Sequence, residues 1–150
     1  MLQFETSSEK YLTGNTALNI PTEDGDFADW HGTSIFSSGN SKYIIAGENS
    51  RDTNNIFGSY GVRECSSIIK QYFGLVFSDK VYAANYIRAL LDIVFNTSFD
   101  GRKPTKKVRD ILSKSFEQSE FWKRFNILKK QINNKIQLQI LTEWENENRA

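Results

Sequence analysis

SDKVYAANYIRALLDIVF, residues 78–95, is the stretch of this 150-residue chain that decides its fold. The seventeen residues after Ser78 contain no glycine or proline, and apolar side chains cover almost the whole circumference of a helix built from them. A helix without a broad polar face belongs inside a fold. Ser78 can cap its first turn, and Asp79 complements the helix dipole there. The pattern therefore predicts a central buried helix over residues 78–95.

Three polar residues interrupt this predicted helix: Asn85, Arg88 and Asp92. Their spacings of three and four residues place them on one helix face, where Arg88 and Asp92 can pair. A buried ion pair contributes little net stability, because desolvation cancels much of the attraction. The stripe therefore indicates either specificity of packing, which we favour, or a partly exposed functional groove. The acidic loop of residues 22–29 or residues 51–52 would supply its counterparts.

Length and composition indicate one ordinary domain spanning residues 1–150. The single cysteine excludes an internal disulfide and a zinc site built on several thiolates, and the single histidine excludes a site built on several imidazoles. No apolar run reaches membrane length, and the first ten residues do not form a signal sequence. These features predict a cytoplasmic protein without a membrane partner, a cofactor or a metal site.

The first half of the chain favours short strands and loops. Residues 33–36 and 42–46 are β-prone and flank a turn-forming run of Ser, Gly and Asn, which predicts an antiparallel hairpin. Residues 47–61 form an aperiodic stretch rich in Gly, Asn, Ser and Asp, and long ordered loops are often functional. Residues 62–77 fit either a short helix broken at Gly74 or a third strand.

The second half has helical periodicity. One amphipathic helix is predicted from the stripe Val108, Ile111, Leu112, Ser115 and Phe116. Another, capped by Ser119 and ended by residues 133–134, is predicted from the stripe Phe121, Phe125, Leu128 and Ile132. Residues 136–144 fit a helix or a strand, and their helical neighbours favour a helix. The predicted fold class is α+β, with a small antiparallel β-element in the N-terminal half packed on a predominantly helical C-terminal half.

Four residues are candidates for catalysis: Asp29, His31, Asp52 and Arg88. A histidine near an aspartate can act as a general base, because its pKa lies near neutrality and a carboxylate can orient the ring. No nucleophile lies at a diagnostic spacing from His31, so a hydrogen-bonded histidine at the hairpin edge is favoured. Cys65 is interpreted as a small buried hydrophobic residue.

Positive charge is concentrated in the second half. Residues 1–75 hold five Lys/Arg against nine Asp/Glu, whereas residues 102–135 hold eleven against three. Seven of these basic residues are predicted to bind a partner: Lys106, Lys107, Arg109, Lys123, Arg124, Lys129 and Lys130. A solvated helix face, an acidic protein partner and nucleic acid are all compatible with this pattern. The absence of a recognisable reading motif favours a protein partner over nucleic acid.

Four blocks of the sequence resemble a family of small, uncharacterised bacterial proteins: TGNTALNIP (13–21), DWH (29–31), NNIFGSYGV (54–62) and VYAANYIRALLD (81–92). In that family similar blocks occur in the same order. The family is similar to antitoxin-like partners encoded beside nucleotidyltransferase-type toxins. The resemblance therefore implies a role in a toxin–antitoxin system, with a toxin-like protein as the partner.

The sequence thus predicts a non-enzymatic cytoplasmic interaction protein, an antitoxin or a regulatory partner that binds another protein. Two alternatives stay open. One is a small enzyme acting on nucleotides or nucleic acid, which would use Asp29, His31, Asp52 and Arg88. The other is a nucleic-acid-binding protein, which would use the basic helices of residues 104–135.

Overall fold

The computed structural model describes residues 5–28, 36, 42–77 and 79–149. Within these ranges the helices are α1 (Gly14–Leu18), α2 (Asn54–Phe57), α3 (Ser66–Phe73), α4 (Tyr86–Phe99), α5 (Val108–Ile111), α6 (Ser115–Gln131) and α7 (Lys135–Arg149). The strands β1 (Val62–Glu64) and β2 (Tyr82–Ala84) pair antiparallel in one small sheet. This architecture confirms the predicted α+β class. None of the helices in these ranges is both long and apolar enough to cross a membrane.

The prediction of one helix over residues 78–95 is wrong for the first half of that range. Residues 82–84 form β2 instead, and α4 begins only after Asn85. The Asn85 side chain accepts a hydrogen bond from the backbone N–H of Arg88 at 2.9 Å, which satisfies one of the free donors of the first turn. Asn85 is therefore the cap of α4 and not part of a polar stripe along it. The predicted cap, Ser78, lies outside the described residues.

Tertiary hydrogen bonds hold residues 82–84 in an extended conformation. On one side β2 pairs with β1. On the other side the backbone N–H of Leu12 donates to the Tyr82 carbonyl at 2.9 Å, and the Leu12 carbonyl accepts from the Ala84 N–H at 2.8 Å. Because β2 has partners on both edges, its backbone groups are satisfied without a helix, and this outweighs the helical propensity of its alanines.

A close approach at Gly61 brings β1 against the start of α4. Gly61 has a φ of +75°, and its carbonyl accepts the backbone N–H of Asn85 at 2.6 Å. A Cβ at this position would lie 2.7 Å from Asn85 Oδ1 and 2.9 Å from Arg88 Cβ. Glycine is therefore required here both by the backbone conformation and by the space.

The described sheet is formed by residues other than those of the predicted hairpin. Of its first arm, residues 33–36, only Phe36 is described, so the pairing of that arm lies outside the described residues. The second arm, residues 42–46, contributes isolated bridges and no strand. For residues 62–77 the sequence allowed either a strand or a short helix, and the structure contains both. The strand β1 is followed by the helix α3, for which Gly74 is the C-cap.

Two helix predictions in the second half were wrong. The stripe over residues 108–116 does not form one amphipathic helix, because α5 is four residues long and ends at Ile111. Phe116, expected to be buried, belongs to α6 and is 70% exposed. Ser119 caps no helix, since α6 begins four residues earlier and runs through it.

Other predictions in this half are confirmed. The α6 side chains that pack into the core are Phe121, Phe125 and Leu128, as the stripe indicated. The chain leaves the helical conformation at residues 132–134. The α7 helix then includes residues 136–144, which confirms the helical interpretation of that segment.

Two apolar clusters form the core. The larger one packs α4 against α6 and α7, and Trp144 of α7 lies within 6 Å, between ring centroids, of Phe121, Trp122 and Phe125. The smaller one surrounds the β-element and includes Cys65, which is buried as predicted. Burial raises the pKa of the Cys65 thiol, so it is a poor nucleophile near neutral pH.

The central position of α4 predicts the effect of truncating Leu91, which is fully buried. Leu91→Ala should lower the free energy of unfolding by about 2–5 kcal/mol, because it removes apolar contacts and leaves a cavity. Urea unfolding followed by circular dichroism measures this change. Ile136→Ala, at a side chain 67% exposed, is the control. A urea midpoint unchanged by Leu91→Ala would contradict the central placement of α4.

The buried hydroxyl of Tyr86 predicts a loss of stability at alkaline pH. It donates to the Ile20 carbonyl at 2.6 Å, and burial raises the pKa of Tyr86 from 10.0 to about 12. Between these pH values the unfolded chain releases this proton while the folded chain keeps it, so the free energy of unfolding falls as pH rises. Urea midpoints across this window test the effect. Tyr86→Phe should show a shallower dependence, and an identical slope would contradict the prediction.

Candidate functional site

Arg88 and Asp92 are buried one turn apart on α4. Their exposed fractions are 0% and 1%, and Arg88 Nε lies 3.4 Å from Asp92 Oδ1. The ion pair predicted from their spacing is therefore confirmed. An uncompensated charge at either position would be costly, so the remaining donors and acceptors of both groups need partners.

Three hydroxyl groups donate to the Asp92 carboxylate. Tyr11 and Thr13 donate to Oδ2 at 2.8 and 2.7 Å, and Thr53 donates to Oδ1 at 2.6 Å. Burial raises the pKa of Asp92, whereas Arg88 and the three hydroxyl groups oppose that shift by stabilising the ionised form. Burial and the nearby carboxylate also raise the pKa of Tyr11, which keeps its hydroxyl a donor.

The Arg88 guanidinium holds the segment of residues 53–60. Nη1 donates to the carbonyls of Gly58 and Tyr60 at 2.9 and 2.6 Å, and Nη2 donates to Asn54 Oδ1 at 3.0 Å. Nε completes the set by donating to Thr53 Oγ1 at 3.1 Å. The aperiodic loop is therefore ordered around Arg88. We call these residues, with Tyr11, Thr13 and Asp92, the Arg88–Asp92 cluster.

The predicted counterparts of the polar stripe were wrong. The partners of Arg88 come from residues 53–60 and those of Asp92 from residues 11–13 and 53, not from the described part of the acidic loop or from residues 51–52. The partners are uncharged hydroxyl, carbonyl and amide groups, so a search of the sequence for complementary charges could not have identified them. Among the possible interpretations of the stripe, its burial favours a structural role.

The structure places two of the four catalytic candidates. Arg88 has no solvent exposure, and all three of its nitrogens donate within the chain, so it is not accessible to a substrate. Asp52 lies nearer the surface, where Oδ1 accepts the backbone N–H of Asn54 at 3.0 Å. Asp29 and His31 lie outside the described residues. Among the residues that are described, no three His, Cys, Asp or Glu side chains are grouped to hold a metal ion.

Two of the seven predicted partner-binding residues, Arg124 and Lys129, make ion pairs with other described residues. Arg124 pairs with Glu120 at 3.0 Å and lies 3.8 Å above the ring of Tyr60. Lys129 pairs with Glu145 at 2.8 Å and so links α6 to α7. The charges of Arg124 and Lys129 are therefore engaged in contacts within the fold.

The other five differ in exposure. Lys106 is half-buried, and its carbonyl accepts the indole N–H of Trp144 at 3.0 Å. The four exposed residues are Lys107, Arg109, Lys123 and Lys130. Partner binding by these residues stays a prediction.

The solvent side of α6 combines apolar and basic side chains. Phe116 and Ile127 are 70% and 36% exposed, and Lys123 and Lys130 are exposed as well. Their separations of seven, eleven and fourteen residues correspond to about two, three and four helical turns, so the four side chains share one face. We call this face the α6 outer stripe. Sequence reasoning missed it because it assigned Phe116 to the core.

A cavity of about 430 Å³ lies where α1, α4 and the loop between α4 and α5 meet. Arg102, Lys103 and Lys106 of that loop line it, and so does Asp92, which places the cavity beside the Arg88–Asp92 cluster. We call it the α4–α5 loop cavity. Sequence reasoning counted Arg102 and Lys103 in the basic region but did not single them out. The run RKPTKKVR, residues 102–109, in which five of eight residues are basic and none is acidic, was the available signal.

Comparison of the chain with protein-family models, with curated proteins and with solved structures finds no match. The resemblance to a small bacterial family and the antitoxin-like role that it implies therefore stay predictions.

The Arg88–Asp92 cluster predicts a large effect of removing one charge. Asp92→Ala should lower the free energy of unfolding by about 3–5 kcal/mol, because it leaves the Arg88 guanidinium buried without its counter-charge. Asp100→Ala is the matched control, since its pairs with Arg51 and Arg102 are exposed and such pairs contribute about 0–1 kcal/mol. Chemical denaturation measures both variants. Similar small losses in the two variants would contradict the importance of the cluster.

Proposed function

We propose that this protein is a non-enzymatic interaction protein that binds an acidic surface of another protein through the α6 outer stripe. The observation that carries this proposal is the exposure of Phe116 and Ile127 on the same helix face as two exposed lysines. Burial of apolar surface contributes about 25 cal/mol per Å², so covering these two side chains would favour association. The lysines would select an acidic partner and accelerate encounter with it.

The two lysines are available for such a partner. Neither Lys123 nor Lys130 forms an ion pair with any other described residue, in contrast to Arg124 and Lys129 on the same helix. The net positive charge of residues 102–135 adds a longer-range attraction for acidic surfaces.

The same stripe is less suited to nucleic acid. The lysines could neutralise a phosphate backbone and Phe116 could stack on a base, but the aliphatic side chain of Ile127, which lies between Lys123 and Lys130, has no stacking surface. Covering an exposed isoleucine beside charged groups is typical of protein interfaces, in which apolar contacts lie among polar ones. A protein partner therefore accounts for all four side chains of the stripe.

An enzymatic role receives no support from Arg88, because its guanidinium is buried and engaged within the chain. The resemblance stated above supports a more specific version of the proposal. In that version the partner is a toxin-like protein encoded by a neighbouring gene, and the complex forms in the cytoplasm.

The test is binding of the purified neighbouring-gene product to charge variants of this chain. Lys123→Glu/Lys130→Glu should weaken the complex by roughly tenfold or more, because favourable charge contacts become repulsive. Phe116→Ser should weaken it while leaving the net charge unchanged. Isothermal titration calorimetry measures the affinities, and urea midpoints show that each variant is folded.

Lys70→Glu/Lys80→Glu is the matched control, since it changes the net charge equally at two exposed lysines away from α6. Equal weakening by this control would show a diffuse electrostatic attraction and no specific stripe. A parallel titration with mixed-sequence DNA and RNA at low and physiological salt distinguishes the nucleic-acid alternative. Tight and steeply salt-dependent nucleic-acid binding, without binding of the protein partner, would overturn the proposal.

A further inference from the structure

The α4–α5 loop cavity has the size of a small-molecule site. Its volume of about 430 Å³ lies within the range of about 300–1,000 Å³ that is usual for ligand pockets. Ile44 and Ile93 supply apolar lining, while Asn15, Thr97 and Thr105 supply polar groups. The side chains of these three polar residues form no hydrogen bond with any described residue, so they can donate to a ligand.

Positive charge in the cavity comes from one segment. Residues 102–109 hold five Lys/Arg and no Asp/Glu, and Arg102, Lys103 and Lys106 line the cavity. The Arg102 side chain is 74% exposed and lies 3.8 Å from Asp100, while Lys103 pairs with Glu147 at the surface. Exposed pairs of this kind contribute little to stability, so a bound anion can compete for both cations.

The backbone of this segment is already held in place. The Arg102 N–H donates to the Thr97 carbonyl at 3.1 Å, the Lys106 carbonyl accepts from Trp144, and the Val108 N–H donates to Asn148 Oδ1 at 3.0 Å. A ligand would therefore meet a backbone that needs little ordering, which lowers the entropic cost of binding.

We infer that the α4–α5 loop cavity binds a phosphorylated small molecule, with the phosphate against Arg102 and Lys103. A phosphate dianion carries more charge and more acceptor oxygens than a carboxylate, so it can form charge-assisted hydrogen bonds with several cations of one segment at once. The cavity is larger than a bare phosphate needs, so the uncharged part of the ligand would occupy the side lined by Thr13, Ile44 and Ile93. This site is separate from the α6 outer stripe, and its failure would leave the proposed function standing.

The surroundings of the cavity differ in charge on its two sides, since a smaller cavity that shares Lys103, Thr105 and Lys106 with it has more basic than acidic residues in its lining. On the other side, a cavity of about 690 Å³ shares Ile44, Ser50 and Asn96 with the α4–α5 loop cavity. Its lining includes three acidic residues, Glu48, Asp52 and Asp100, and one basic residue, Arg51. A polyanion that continued in this direction would meet a net negative charge, which favours a ligand confined to the α4–α5 loop cavity. The carboxylate of Asp92 is neutralised by Arg88 and three hydroxyl donors, so it does not prevent anion binding in the α4–α5 loop cavity.

The experiment is a titration of the ¹⁵N-labelled full chain, at physiological ionic strength, with inorganic pyrophosphate, AMP and adenosine. Pyrophosphate and AMP should produce saturable chemical-shift changes at the amides of residues 97–106 and of Asn15, and adenosine should not. Arg102→Gln/Lys103→Gln should weaken AMP binding by roughly tenfold or more, because charge-assisted hydrogen bonds are lost. Thr97→Phe, which preserves every charge, should abolish binding by filling the cavity.

Lys123→Gln/Lys130→Gln is the matched control, since it removes two positive charges on α6 and should leave AMP binding within about twofold. Urea midpoints verify that all variants are folded. Absence of saturable shifts with both pyrophosphate and AMP up to about 10 mM, a concentration that would reveal even very weak complexes, would overturn the inference. Equal weakening by the control pair would also overturn it, because the attraction would then be diffuse.

Discussion

The buried ion pair between Arg88 and Asp92 is the interaction on which the rest of the structure depends. Two opposite charges inside a fold are tolerated only when each is paired and its hydrogen-bonding groups are satisfied. Here that requirement is met by residues 11–13 on one side and residues 53–60 on the other. Segments that have little regular structure of their own are thereby attached to α4.

The same cluster connects the core to both surfaces of functional interest. Asp92 lines the α4–α5 loop cavity, so the shape of that cavity depends on the groups that hold its carboxylate. Tyr60, whose carbonyl accepts from Arg88, also lies beneath Arg124 and donates its hydroxyl to Glu120 at 3.2 Å. The inner side of α6 is therefore packed against a loop that Arg88 orders, and its opposite face is left for the solvent.

Charge in the second half of the chain has two physical uses. Arg124 and Lys129 stabilise the packing of α6 through an aromatic contact and an ion pair with α7. Lys123 and Lys130, on the same helix, face solvent beside exposed apolar side chains. A count of basic residues cannot separate these uses, because both groups occur at similar helical spacing. Glu145 on α7, which pairs with Lys129, and the ring of Tyr60, which lies against Arg124, distinguish them only after the chain has folded.

The sequence by itself determined the α+β class, the Arg88–Asp92 pairing, the buried Cys65 and the apolar stripe of α6. These follow from composition and short-range periodicity, which act within a few turns of chain. Only the tertiary structure decided that residues 82–84 form a strand, since Leu12 and β1 supply hydrogen bonds from distant positions. It also decided the uncharged partners of Arg88, the exposure of Phe116 and the existence of the cavity. Each of these depends on tertiary contacts between segments that are distant in the sequence, and local propensity carries no information about such contacts.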